Sequence, residues 1–196
     1  MCEIKTYSVG SVFYTAIGCK KFKLGSQSFT GEYIKSVLID NAQSNIVGNW
    51  ANSLYLSVDN DTVSRGYLVP DEDTKTKQLL KNTVFIFKLT LKQKLQYIDC
   101  RIADYKNGVV GNGEVVGKGL FEGLINASIH NDFMTKLGEK SLAFECYHDD
   151  SGNRECIVPS NLITAFEVVS YQKFEVDANG DITSESSIIA LPSIIS

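Results

Sequence analysis

The sequence predicts an α+β fold in which two mostly antiparallel β-sheets pack face to face with helices at their flanks. Three observations carry that expectation. Short runs of β-branched and aromatic residues recur along the chain and dominate its second half. Most spacers between them are of turn length, which joins antiparallel strands rather than parallel ones. Apolar residues at helical spacing are confined to the first half and to stretches between strands.

Taken in order, Ser11 to Ile17 (SVFYTAI) is expected as a strand closed by Gly18, and Lys20 to Ser28 as a loop or short strand. Thr30 to Ile39 is expected as a helix, with Tyr33, Ile34, Val37 and Leu38 on one stripe and Thr30 or Ser28 as its cap. An Asn/Ser/Gly-rich connection, Asn41 to Asn52, leads to the strand Leu54 to Val58, an Asp-Asn-Asp turn and a short helix that Pro70 stops. Asp71 to Lys81 reads as a surface helix. Thr83 to Leu91 (TVFIFKLTL) is the clearest strand, and Leu95 to Ile102 follows a lysine-rich turn, so the two are expected to form a hairpin. Asn107 to Gly123 is a glycine-rich loop whose GNGEVVGKG lacks phosphate-loop spacing. Asn126 to Leu137 is expected as a helix. Ser141 to His148 and Arg154 to Val158 form a hairpin about Asp149 to Asn153. Ile163 to Val176 is a long strand turned at Asn179-Gly180, and residues 184–196 form an edge strand or a tail.

A length of 196 residues is that of a single domain with a sizeable core, so residues 1–196 are expected as one unit. A hydrophobic content of 43% with a mean hydropathy of -0.05 fits a water-soluble globule. The net charge of -4 argues against a general nucleic-acid or membrane-surface binder, and the lysines of Lys20-Lys21-Phe22-Lys23 are expected on a solvated loop. Five cysteines with no CxxC pair and no histidine at ligand spacing predict neither a zinc site nor a disulfide framework. Cys146 and Cys156 flank one turn and could face each other, although buried thiols are the simpler expectation. Met1 to Gly10 lacks an apolar core, so no signal peptide is read, and no run has membrane-spanning length.

The stretch with the most chemistry is Gly48 to Asp73, which carries Trp50, Leu54-Tyr55, Ser57, Asp59-Asn60 and Gly66-Tyr67. Tyrosines presented from a strand end and from the following helix suit holding a flat ring between two aromatic faces. This order of residues resembles the NAD-binding scaffold of diphtheria-toxin-like mono-ADP-ribosyltransferases. A second stretch, Asn153-Arg154-Glu155-Cys156-Ile157-Val158-Pro159 followed by Leu162-Ile163 and the strand 165–170, is similar to the late Glu-x-x-(Ile/Val)-Pro segment of bacterial ADP-ribosyltransferase effectors. The resemblance implies an ADP-ribosyltransferase-like fold, NAD as the substrate and no metal. Tyr55 and Tyr67 would sandwich the nicotinamide, Ser57 would support the strand end and Glu155 would be the catalytic carboxylate. Glu145 in SLAFECY is the alternative, expected on the face away from Phe144 and Cys146.

The chain departs from the family in two places. The first strand of the family bears His or Arg, whereas Val12-Phe13-Tyr14-Thr15-Ala16 has neither; Tyr14 or Thr15 would contact the NAD instead, with the Thr15 and Ala16 main chain available to the nicotinamide amide. Eleven residues separate Tyr55 from Tyr67, one more than the family pattern carries. An extra residue inside the helix would turn Tyr67 by roughly 100°. Asn153 stands where the family places Gln or Glu, which leaves the class of acceptor open.

The resemblance therefore implies a toxin- or effector-type enzyme that cleaves NAD and passes ADP-ribose to a macromolecule, a protein rather than a nucleic acid. It would act in a target-cell cytosol, with a cognate immunity or inhibitor protein in its producer and no membrane partner. An NAD glycohydrolase and a non-catalytic binding module on the same fold are the alternatives.

Overall fold

A computed structural model describes residues 3–18, 29–44, 52–66, 82–100, 133–148, 153–177 and 181–192. The strands are β1 (Glu3–Tyr7), β2 (Val12–Gly18), β3 (Ser53–Val58), β4 (Asn82–Leu91), β5 (Leu95–Cys100), β6 (Leu142–His148), β7 (Asn153–Pro159), β8 (Phe166–Val176), β9 (Ile182–Glu185) and β10 (Ile189–Ala190). The helices are α1 (Gly31–Ser44), α2 (Thr62–Gly66) and α3 (Phe133–Glu139), with a 3-10 turn at Ser160–Ala165. The α+β class holds, but the two expected sheets are one hydrogen-bonded sheet, in the order β1-β5-β6-β7-β3-β2-β4-β8-β10, with β9 also on β8. Pairing is antiparallel except between β5 and β6.

This sheet folds over on itself. β1 and β2 stand five strand positions apart along it, roughly 24 Å if it were flat. Yet the rings of Tyr7 and Phe13 meet edge to face at 5.0 Å. Phe13 in turn meets Phe166 of β8 at 5.2 Å, and Tyr7 stacks on Tyr97 of β5 at 3.9 Å. The two halves, β1-β5-β6-β7-β3 and β2-β4-β8, thus close over a shared core, which is how the expectation of two packed layers is partly met.

Two connections bridge the halves at one end. The turn after β1 needs glycine, because Gly10 takes φ +85° while Ser11 N–H reaches back to Ser8 C=O at 3.1 Å. Beside it runs the link from β4 to β5, with Gly10 N–H donating to Leu91 C=O and Leu91 N–H to Ser11 C=O at 2.9 and 3.1 Å. β4 and β5 are therefore not the expected hairpin. The chain passes from one half to the other between them, β4 pairing with β2 and β8, and β5 with β1 and β6. The hairpin of β6 and β7 does form.

Helix α1 covers the core. Its stripe of Ile34, Val37, Leu38 and Ala42 is buried, extending the expected helix by more than a turn, and Thr30 caps it by accepting the Tyr33 N–H at 3.2 Å. On the outer face α3 packs against β6 and β7 so closely that a Cβ on Gly138 would stand 2.4 Å from Asn161 Oδ1 and 3.2 Å from Pro159 Cβ. β6 is consequently buried on both sides, and Phe144 and Glu145 are each fully buried. The long strand expected from Ile163 begins at Phe166, since residues 160–165 form the 3-10 turn. Of the helix expected over 126–137, residues 126–132 lie outside the described residues. So do the expected loop 20–28, the helix 71–81 and the glycine-rich loop 107–123.

Phe13 ties the halves together with no exposed surface. Phe13→Ala should therefore cost about 3–5 kcal/mol, within the range for truncating a fully packed phenylalanine. Urea denaturation monitored by circular dichroism would measure it, and a loss below about 1 kcal/mol would contradict this account of the core.

Candidate functional site

Three residues from distant parts of the sequence become cross-strand neighbours. Tyr14 on β2 stands opposite Ser57 on β3, and Ser57 stands opposite Glu155 on β7. Directly opposed residues project from one face of a sheet, so phenol, hydroxyl and carboxylate form a row on the face away from α1. Tyr55, two residues before Ser57, shares this face and is half-buried. In the other direction the row continues through Lys88 on β4 to Ser170 on β8.

The strands part beside this row. β2 pairs with β3 only at Phe13–Val58 and Tyr14–Ser57, then continues with β4 alone as far as Gly18. Had the ladder run on, Ala16 would have faced Tyr55. Instead the Ala16 main chain has no β3 ladder partner among the described residues, and Tyr55 stands across the opening.

Ser57 fixes the geometry. Its Oγ accepts the Ser64 N–H at 2.6 Å and shares a 2.7 Å hydrogen bond with Ser64 Oγ, both buried, which holds α2 over the end of β3. The Asp-Asn-Asp turn makes this possible. Asp59 adopts φ +67°, a conformation its short polar side chain tolerates, and Asn60 Oδ1 accepts the Thr62 N–H at 3.0 Å to start the helix. At the far end of α2, Arg65 pairs with Asp61 at 2.6 Å and lies over the Phe174 ring at 5.0 Å. α2 thus reaches from β3 to β8, and a cleft of about 310 Å³ opens there, lined in part by Tyr14, Asn60, Ile86, Lys88, Ser170 and Ile188.

Glu155 is 5% exposed and occupies the buried end of the row. A carboxylate with little water around it exerts a strong field on a developing cation, because nearby charge is poorly screened there. Tyr14 keeps its proton: burial first, then the neighbouring Asp61 charge, raise its pKa above the ordinary phenol value.

Charges on the core-side face are arranged differently. Arg154 forms an ion pair with Asp59 and donates to Glu145 Oε1 at 3.4 Å. Glu145 stands opposite Asp99 in register, and Asp99 is held by Lys5. Glu145 Oε2 is buried with no hydrogen-bond partner. Burial pushes its carboxyl up to about 7, against the opposing pull of Arg154 and Lys5. Glu145 is therefore a core-side group across the sheet from Tyr14 and Ser57, not on the face opposite the core as expected. Of the two candidate carboxylates, Glu155 is the one on their face.

Thr15 is buried on the core side between Phe13 and Ile17, so its hydroxyl does not share the Tyr14 face. The expected Thr15 side-chain contact with NAD is thus not on the face of Tyr14, and its main chain points to Phe87 of β4, which leaves Ala16 facing the opening. Cys156 likewise points to the core, opposite Glu145 rather than Cys146. Tyr67 and Trp50 lie outside the described residues. The Asp59–Arg154 pair and Lys88 were not singled out from sequence; the available signal for Lys88 was one charge within the apolar run TVFIFKLTL. Among the described residues no group of His, Cys, Asp and Glu is placed to hold a metal, and no helix is long and apolar enough to cross a membrane.

The raised Glu145 pKa makes stability depend on pH with a definite sign. Its protonated form suits the folded state, so its contribution is full below the ordinary carboxyl range and is lost as pH rises through about 7. Thermal unfolding should show Glu145→Gln more stable than the parent at pH of about 8, by on the order of 1–3 kcal/mol, and little different at pH of about 4.5. An unchanged difference across that range would refute the assignment. No protein-family model matches this chain, and no curated protein matches it.

Proposed function

We propose that the chain is a mono-ADP-ribosyltransferase of the toxin or effector type, acting on NAD at the opening between β2 and β3. The observation that supports this most is the row Tyr14–Ser57–Glu155 at the place where those two strands part. Such an opening offers the Ala16 main chain to a carboxamide, an aromatic ring to a pyridine and a carboxylate to a ribose.

In this reading the Ala16 main chain hydrogen-bonds the nicotinamide amide, and Tyr55 stacks on the ring. Glu155 accepts a hydrogen bond from the 2′-hydroxyl of the adjoining ribose. The bond from C1′ to the pyridinium nitrogen breaks, its electron pair leaving with neutral nicotinamide, and a cationic ribose remains. Glu155 stabilises that cation more than it stabilises the bound substrate, which is the condition for accelerating the step. A nucleophile on a macromolecular acceptor then bonds to C1′ and its proton passes to solvent. Ser57, bonded to Ser64, keeps β3 and α2 in register with Glu155 and is a positioning residue.

The absence of a cationic side chain on β2 favours a second reading, a binding module on this scaffold that does not catalyse. Glu155→Gln separates the two. Its carboxamide preserves shape, so it should bind NAD as the parent does, followed by quenching of Trp50 fluorescence, while turnover falls about 10²–10³-fold. Full activity in that variant would overturn the assignment, and no NAD response in the parent would favour the binding module. Labelled NAD incubated with cell lysate would give labelled macromolecule for transfer and only free ADP-ribose for hydrolysis.

A further inference from the structure

Ser170, Lys88 and Tyr14 are successive cross-strand neighbours, and all three line the cleft beneath α2. Among the described residues none of the three side chains makes a hydrogen bond or ion pair. That distinguishes them from the rest of the site, where Ser57 is bonded to Ser64, Asp59 to Arg154 and Asp61 to Arg65. Three donors in a line on one cleft wall are available to a ligand that accepts from all of them. An ammonium flanked by two hydroxyls matches a phosphate, which needs one positive charge and several donors.

The surroundings narrow the ligand further. The aspartates at the rim are each already engaged by an arginine, so Lys88 is the charge left to attract an anion. Ile86 on the cleft wall and Ile188, 70% exposed on its rim, give an apolar surface to a flat base. Lys88 stands three strands from Glu155 in the same row, roughly 14 Å between backbone positions. Between them Ser57 is covered by Ser64 of α2, so a dinucleotide reaching both would pass around that helix.

We infer that Lys88, flanked by the Tyr14 and Ser170 hydroxyls, is the anchor for the diphosphate of an adenosine-diphosphate-bearing ligand, on a different strand from the one where such a charge was expected. This rests on the proposed reaction for its substrate, NAD, but the anchor itself requires only the ADP-ribose portion. The cleft therefore determines affinity and specificity, while Glu155 governs the chemical step.

The test uses the whole chain, with ADP-ribose and NAD as probes, in the parent and in Lys88→Gln and Lys88→Arg. Calorimetric titration should show ADP-ribose binding to the parent that weakens with added salt. The affinity should fall about tenfold or more in Lys88→Gln and be largely retained in Lys88→Arg. With NAD turnover as readout, Lys88→Gln should raise KM by a similar factor and leave kcat near the parent value, the pattern of lost binding rather than lost catalysis. An unchanged ADP-ribose affinity in Lys88→Gln, with circular dichroism confirming a folded variant, would overturn the anchor while leaving the transferase reading standing. ADP-ribose binding that depends on Lys88 in a chain that never cleaves NAD would support the anchor and overturn the transferase. Failure of the parent to bind either probe would overturn both.

Discussion

The pairing of β2 with β3 runs for only two residue pairs, and those two pairs serve opposite faces of the sheet. Phe13 points inward, where Tyr7 and Phe166 meet it from the two halves of the folded sheet. Tyr14 points outward into the row with Ser57 and Glu155. Because side chains alternate along a strand, a shift of one residue at this seam would exchange the core residue for the site residue. Core and candidate site are therefore set by the same register, and the site is as stable as the packing behind it.

The brevity of the seam has a second consequence. Beyond those two pairs β2 follows β4 while β3 follows β7, which opens the sheet between its halves. The opening leaves the Ala16 main chain without a β3 ladder partner among the described residues, facing a half-buried tyrosine. α2 crosses it, anchored through Ser57 at one end and through Arg65 on Phe174 at the other. That helix is short, and what places it is the turn before it, where Asp59 in the left-handed region lets the chain reverse over the sheet.

The charged residues divide according to face. On the outer face the carboxylate of Glu155 lies along a line of hydroxyls and one ammonium. On the core side Arg154 joins Glu145 to Asp59, linking a buried carboxyl to the turn that starts α2. Neighbours in the sequence, Arg154 and Glu155 belong to different networks because a strand sends them to different sides.

Much of the architecture was legible in local sequence. β-branched and aromatic runs located most strands, the apolar stripe after Thr30 marked α1, and Asp-Asn-Asp between an apolar strand and Ser64 marked the turn into α2. These signals are local, since backbone preference, capping and strand alternation act over a few residues. What sequence could not show was which strand lies beside which. A three-residue turn between β4 and β5 looks like a hairpin, yet the closing of the sheet sends the two strands to different partners. Glu145 looks like the outward residue of a half-exposed strand, yet α3 and the core bury β6 on both sides. Tyr14 and Thr15 are indistinguishable as hydroxyl donors until β2 takes its place and turns one of them inward. Lys88 and Ser170 come beside Tyr14 from 74 and 156 residues further along the chain, because side-chain proximity across a sheet is decided by strand order, a property of the whole chain's packing rather than of any segment.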